Sequence, residues 1–201
     1  MHSDHRQAQV SRRGVLAALL AASLSLFPGL GTAVAQEPDK AAALLAAMDQ
    51  ATTIQQGHGT HRLYVFFDPN CPYCHQLYLK LRPLVARDDL QVHWVVLGML
   101  TASSEPKAAA MLQAPDRLKA FETNENDYDF AANGQPGGGI LPASTILPRT
   151  RQALQRNLQI YRSQKLFGVP VLVWKRRDGR AAMTVGVPSS AELSRLLADL
   201  A

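Results

Sequence analysis

Cys71-Pro72-Tyr73-Cys74-His75 contains the only two cysteines of the chain, and how it is read decides the fold. C-x-x-C is the spacing of a dithiol redox pair, whereas C-x-x-C-H is also the spacing of covalent haem attachment. Upstream, Leu63-Tyr64-Val65-Phe66-Phe67 is β-branched and aromatic and closes on Asp68-Pro69-Asn70. That is the pattern of a buried central strand ending in a turn. Downstream, Cys74, Leu77, Tyr78, Leu81, Leu84 and Val85 recur at steps of three and four, which predicts a helix with one apolar stripe. Pro83 is expected to kink it. The motif therefore sits where a strand hands over to a helix. Unpaired N–H groups and the positive end of the helix dipole there favour a thiolate on the first cysteine.

Cys71 is accordingly predicted to be the nucleophile. Cys74 lies on the apolar stripe, where burial raises a thiol pKa, and is predicted to resolve the mixed disulfide that exchange passes through. Pro72 and Tyr73 tune the pair. His75 is expected on the exposed first turn, where its protonated form favours the Cys71 thiolate. A purely structural disulfide closing so short a loop would constrain the unfolded chain little.

The remaining segments extend the pattern. Residues 39 to 50 predict a leading helix through Leu44, Leu45 and Met48, and residues 55 to 60, with Gly57 and Gly59, predict a hinge or turn. Residues 91 to 98 predict a second strand, completing a β-α-β unit. Residues 105 to 164 are polar and Ala-rich, with helical pieces at 108 to 112 and 150 to 166 and a Gly/Pro-rich loop at 134 to 148. A strand at 171 to 175, a turn at Asp178-Gly179 and a strand at 181 to 187 form a hairpin. Ser189-Ser190 caps a last helix whose Leu193, Leu196, Leu197 and Leu200 face inward. This order, β-α-β, helices, β-β-α, is that of an α/β thioredoxin fold with a central mixed sheet and a helical insertion at about 103 to 166. The domain is expected to span 61–201, after a leading helix and linker at 36–60.

With 201 residues, 47% of them hydrophobic, and a net charge of +5, the chain suits one globular domain. No Lys/Arg cluster is interleaved with aromatics, so a nucleic-acid partner is not expected. Arg12-Arg13, the apolar run from Val15 to Phe27 and the small-residue site Ala33-Val34-Ala35 read as an export signal cleaved before Gln36. Ser11-Arg12-Arg13-Gly14-Val15-Leu16 resembles a twin-arginine signal, with Sec export the alternative. Either route points to the bacterial periplasm, where cysteine chemistry is not suppressed.

The segment FxDPNCPYC (Phe66 to Cys74), followed by a helix with Arg82-Pro83, resembles the catalytic domain of the DsbG/DsbC group of periplasmic thiol:disulfide interchange proteins, DsbG most of all, from about Leu63 to the C-terminus. The resemblance implies isomerase, reductase or oxidase activity at the Cys71/Cys74 pair, with Pro170 as a cis-proline presenting a backbone edge to substrate. Its implied partners are cysteine-containing exported proteins and a membrane redox protein of the DsbD or DsbB kind. No cofactor beyond the Cys71–Cys74 disulfide is implied. There are two departures. That group carries an N-terminal dimerisation domain, which is not evident here, so a monomer is expected. It also has Thr before the cis-proline, where this chain has Val169, as DsbA-type oxidases do.

Two rival readings use the same residues. A c-type cytochrome would need haem on the two cysteines, His75 as one axial ligand and Met99, Met111 or Met183 as the other. A zinc site would combine Cys71, Cys74 and His75 with His58, His61 or His93, but no second ligand pair stands at a regular spacing, and no metal is expected. His93 reads as an exposed-face strand residue, Asp68 as a turn former and the 134 to 148 loop as plain surface.

Overall fold

The computed structural model describes residues 39–85, 89–130 and 137–201. The expected export signal lies outside these residues, as does part of the 134 to 148 loop.

The β-branched and aromatic runs become strands β2 (His61–Phe67), β3 (Leu90–Val96) and β4 (Val171–Lys175), joined by β1 (Ile54–Gln56) and β5 (Ala181–Val185). The five form one sheet in the order β1-β3-β2-β4-β5. β2 and β3 are parallel, and the other neighbours are antiparallel. β2 is thus the central strand, and the turn at its end is held from both sides.

Helix α2 (Pro72–Val85) follows β2 after the four residues Asp68 to Cys71, and Pro83 sits in its final turn. Side chains alternate across a strand, so Phe67 faces one layer and Phe66 the other. Phe67 packs edge-on to Trp94 of β3 and to Phe121. Phe121 belongs to α4 (Arg117–Asn126) and also meets Tyr78 of α2. Phe66 instead packs against Tyr161 of α5 (Pro148–Ser163). α1 (Lys40–Ala47) is capped by Asp39, and α6 (Ser190–Asp199) begins with a capping box between Ser189 and Glu192. α3 (Ser104–Gln113) packs against both α4 and α5. Asn157 of α5 is fully buried and ties the sheet to the insertion, donating to the carbonyls of Val96 and Thr52 and accepting from the Thr52 N–H.

Four expectations need correction. The stretch expected as a turn begins as strand β1, with Ile54 and Gln56 turned inward. Gln56 is buried because its carbonyl oxygen accepts from the Trp94 indole, a cross-strand partnership invisible in the sequence. The turn proper comes at Gly57, whose φ of +83° favours glycine. The insertion contains α4, which lacks an apolar stripe: Phe121 is its one buried apolar side chain. His93 is half-buried rather than exposed, stacked on Tyr64 and bonded to Gln91 and Thr53. The described start of the Gly/Pro-rich loop is docked, with Gly138 N–H donating to Pro69 and its carbonyl accepting from Lys107.

Phe121 is the anchor of α4, so Phe121→Ala should cost about 3–5 kcal/mol of unfolding free energy in urea titrations. A loss below about 1 kcal/mol would mean that the ring cluster does not hold α4 to the sheet.

Candidate active site

The turn that leads into Cys71 is built by one carboxylate. Asp68 is fully buried and accepts from the Asn70 N–H and the Ser104 hydroxyl on one oxygen, and from the Met99 and Leu100 N–H groups on the other. It therefore does more than form a turn: it clamps the end of β2 to the β3–α3 loop. Asn70 continues the clamp, donating to Thr101, Ser103 and Ser104 while accepting from Lys107. Burial pushes the Lys107 ammonium pKa down. The Asp68 carbonyl accepts the Cys71 N–H at 3.1 Å, and the Cys71 carbonyl accepts the His75 N–H, opening α2.

Cys71 thus stands at the mouth of the helix. Its sulfur accepts the Cys74 N–H at 3.2 Å and lies 3.5 Å from the Val169 carbonyl. The peptide bond from Val169 to Pro170 is cis. The Cys71 thiol pKa is lowered, first by the hydrogen bond with the Cys74 side chain and then by the N–H groups of Cys74 and Tyr73; burial and the Asp68 charge oppose this. Cys74 is raised well above the ordinary thiol value, by burial first and then by its contact with Cys71. Two thiols three residues apart are therefore driven in opposite directions. Both are free, at 2% exposure for Cys71 and 1% for Cys74.

Of the other residues singled out in the sequence, Val169 meets Cys71 through its carbonyl and is joined to Pro170 by the cis bond, Pro72 is half-buried, and Tyr73 is exposed. His75 is not on an exposed turn. It is 6% exposed, stacked on Tyr128 with ring centroids 4.5 Å apart, and its Nδ1 lies 3.1 Å from Glu125 Oε2. The cause is α4 and the residues after it, which cover the start of α2. The haem reading finds no support, because this ring is packed within protein rather than presented beside two accessible sulfurs. His93 is engaged with Tyr64 on β3, and among the described residues no three His, Cys, Asp or Glu side chains are grouped to hold a metal.

Several residues of the site carried no sequence signal. Tyr128 donates to the Asn70 carbonyl at 2.9 Å. Asn124 donates both to the Pro69 carbonyl and to Glu125. Both lie in a polar stretch whose only hint was its proximity to Phe121.

The geometry agrees with what the chain is similar to. The family model for the thioredoxin-like domain matches residues 48–201. The thiol:disulfide interchange protein DsbG of Pseudomonas aeruginosa is 28% identical over 152 residues, which are 75% of this chain and 57% of that protein. DsbG of Escherichia coli K12 is 25% identical over 137 residues, covering 68% and 52%. The chain thus spans about half the length of these curated relatives. Among solved structures, Proteus mirabilis ScsC in a compact conformation superposes with a TM-score of 0.60 at 20% identity, covering 77% of each chain. A periplasmic thioredoxin-like protein from Salmonella enterica serovar Typhimurium gives 0.57 at 21%, covering 81% of this chain and 96% of that one. These likenesses show the fold, and with residues 48–201 matched from before β1 to the last residue, the chain belongs to the thioredoxin-like domain family.

Proposed function

We propose that the protein is a periplasmic thiol:disulfide oxidoreductase that exchanges disulfides with cysteine-containing exported proteins through Cys71 and Cys74. The observation that carries this reading is the opposed ionisation of the two thiols: Cys71 is lowered at the helix mouth and Cys74 is raised beneath it. A thiolate is the attacking species in exchange.

In the reducing direction, the Cys71 thiolate attacks a client disulfide. One client sulfur leaves as a thiolate and the other becomes bonded to Cys71. Cys74 then loses its proton and attacks Cys71, forming the Cys71–Cys74 disulfide and releasing the second client sulfur. Run backwards, the same two steps oxidise a client dithiol. Stabilising the Cys71 thiolate favours the reduced protein and so makes the pair more oxidising, while the Asp68 charge works against this. The Val169–Pro170 edge is the substrate-facing backbone, its carbonyl 3.5 Å from the attacking sulfur. Resetting the pair falls to a membrane redox protein of the DsbD or DsbB kind. The chain works as a monomer, needs no cofactor beyond its own disulfide and reaches the periplasm through the signal in residues 1–35.

Three measurements follow from this reading. Cys71→Ser should abolish insulin reduction, and Cys74→Ser should accumulate mixed disulfides on non-reducing gels; full turnover by the first variant would remove the proposal. Iodoacetamide alkylation of Cys71 in the reduced protein should have its midpoint below that of free cysteine. The rate is expected to stay high above that midpoint and to fall as pH drops through it, because only the thiolate reacts; a midpoint at the free-thiol value contradicts the assigned role. Mass spectrometry of the exported protein should find Gln36 at its N-terminus, and an intact residue 1–35 segment would refute cleavage.

A further inference from the structure

A cleft of about 530 Å³ opens between the end of α3, the start of α4 and the first turns of α5, with Thr52 at its edge. Its charged lining has one sign. Arg117 and Arg149 line it and no Asp or Glu does. The cleft beside α6, by contrast, sets Glu192 and Asp199 among its arginines, and the one beside Met99 sets Glu105 against Arg162. α5 carries Arg149, Arg151, Arg156 and Arg162 and no acidic residue. The carboxylates at the starts of α3 and α4 are already engaged, Glu105 with Arg151 and Asp116 with the Lys119 N–H. The cleft is therefore a place of positive potential.

Its donors are held in position by the fold. Arg117 donates through Nε to the Leu112 carbonyl at 3.0 Å, which orients the guanidinium and leaves both Nη groups without a partner among the described residues. The Arg149 guanidinium has no partner among them either. Thr150 is 4% exposed and lines the cleft, and its hydroxyl makes no hydrogen bond among the described residues. A buried polar group left in that state calls for a partner. This hydroxyl is not sealed into the core but opens on the cleft. α5 begins with Pro148 and has no side-chain cap, so the free N–H groups and the positive dipole end of its first turn add to the same field. Gln113 fixes that start, accepting from the Leu147 N–H and donating to the Thr145 carbonyl.

We infer that this cleft binds a phosphate monoester, at a site separate from the cysteine pair. Two guanidinium forks, a buried hydroxyl and a helix start offer more donors than the two oxygens and single charge of a carboxylate can use. They match the three terminal oxygens and nearly two charges of a phosphate monoester. The cleft is larger than a phosphate group, and Leu112, Pro115 and Ala153 give the organic remainder an apolar wall. Arg117, Arg149 and Thr150 hold the phosphate, and Gln113 is a positioning residue. No residue of the cleft is bonded to Cys71 or to the Asp68 carboxylate, so occupancy and thiol chemistry are separable.

Isothermal titration of the full protein with glycerol 3-phosphate, in about 150 mM chloride to screen surface charge, should show one site. Arg117→Gln and Arg149→Gln should each weaken it about tenfold or more, the loss expected for a charge-assisted contact. Thr150→Val, which keeps the side chain's shape, should weaken it by a smaller factor. Both arginines are exposed, so their variants should fold, and Cys71 should keep its wild-type alkylation rate in each. Saturating glycerol 3-phosphate should raise the melting temperature of the wild type and not that of the double variant Arg117→Gln/Arg149→Gln. Phosphatidylcholine vesicles with and without phosphatidic acid identify the source of the phosphate. Capture that requires phosphatidic acid and is lost in the double variant assigns it to a lipid headgroup, and titration heat without capture assigns it to a soluble ester. The inference is overturned by the absence of both heat and capture, by wild-type affinity in the double variant, or by acetate binding as tightly as glycerol 3-phosphate, which marks an unselective anion surface.

Discussion

The Asp68 carboxylate is the constraint on which the rest of the site depends. Four donors from three positions along the chain converge on a side chain with no exposure. The Asn70 N–H and the Ser104 hydroxyl, both buried, would lose this acceptor without it, at a cost of about 1–3 kcal/mol each. The convergence holds the end of β2 against the β3–α3 loop, and that sets where the chain turns into α2. Cys71 is three residues on, bonded through its N–H to the Asp68 carbonyl, so the position of the sulfur follows from the position of the carboxylate. Asparagine could not replace it without strain, because its amide nitrogen would face N–H or O–H donors on one side.

That anchor has an electrostatic consequence. A buried negative charge near Cys71 resists thiolate formation, yet Cys71 remains lowered because the Cys74 thiol and the N–H groups of Cys74 and Tyr73 outweigh it. Those donors come from the first turn of α2, where N–H groups lack partners within the helix. Cys74 has no such help: it points into the core beside Leu77 and Tyr78. Geometry at one helix start therefore drives the pKa values of two chemically identical side chains in opposite directions.

Much of this was legible in the sequence where periodicity is strong. β2, α2, the β4–β5 hairpin and α6 all carry dense apolar patterns, and each appears close to its expected bounds. β1 and α4 did not announce themselves. β1 is three residues long and two of them are glutamines, one buried only because Trp94 bonds it. α4 reads Arg117-Leu118-Lys119-Ala120-Phe121-Glu122-Thr123-Asn124-Glu125-Asn126, and its buried Asn124 and Glu125 would be taken for solvent-facing residues. His75 follows from the same blind spot. A residue on a polar first turn is exposed unless another element covers it, and what covers it is the helix that local pattern did not reveal. Asp68 was read from its neighbours as a turn former because three of its four donors lie more than thirty residues away.

The insertion is thereby more than an appendage on a thioredoxin-like domain. The three residues before Cys71 are bonded to it: Asp68 to Ser104, Pro69 to Asn124 and Gly138, and Asn70 to Ser104, Lys107 and Tyr128. The sheet and α2 would place a thiol at a helix mouth by themselves. What the insertion adds is a set of hydrogen bonds that fix the backbone just before Cys71 and a cover over His75, the residue after Cys74 in the chain. A site whose hydrogen bonds come from outside the β-α-β unit can be retuned by changes in α3 and α4 with the C-x-x-C segment untouched. The reactivity of the pair is in this sense distributed over about sixty residues that carry no cysteine.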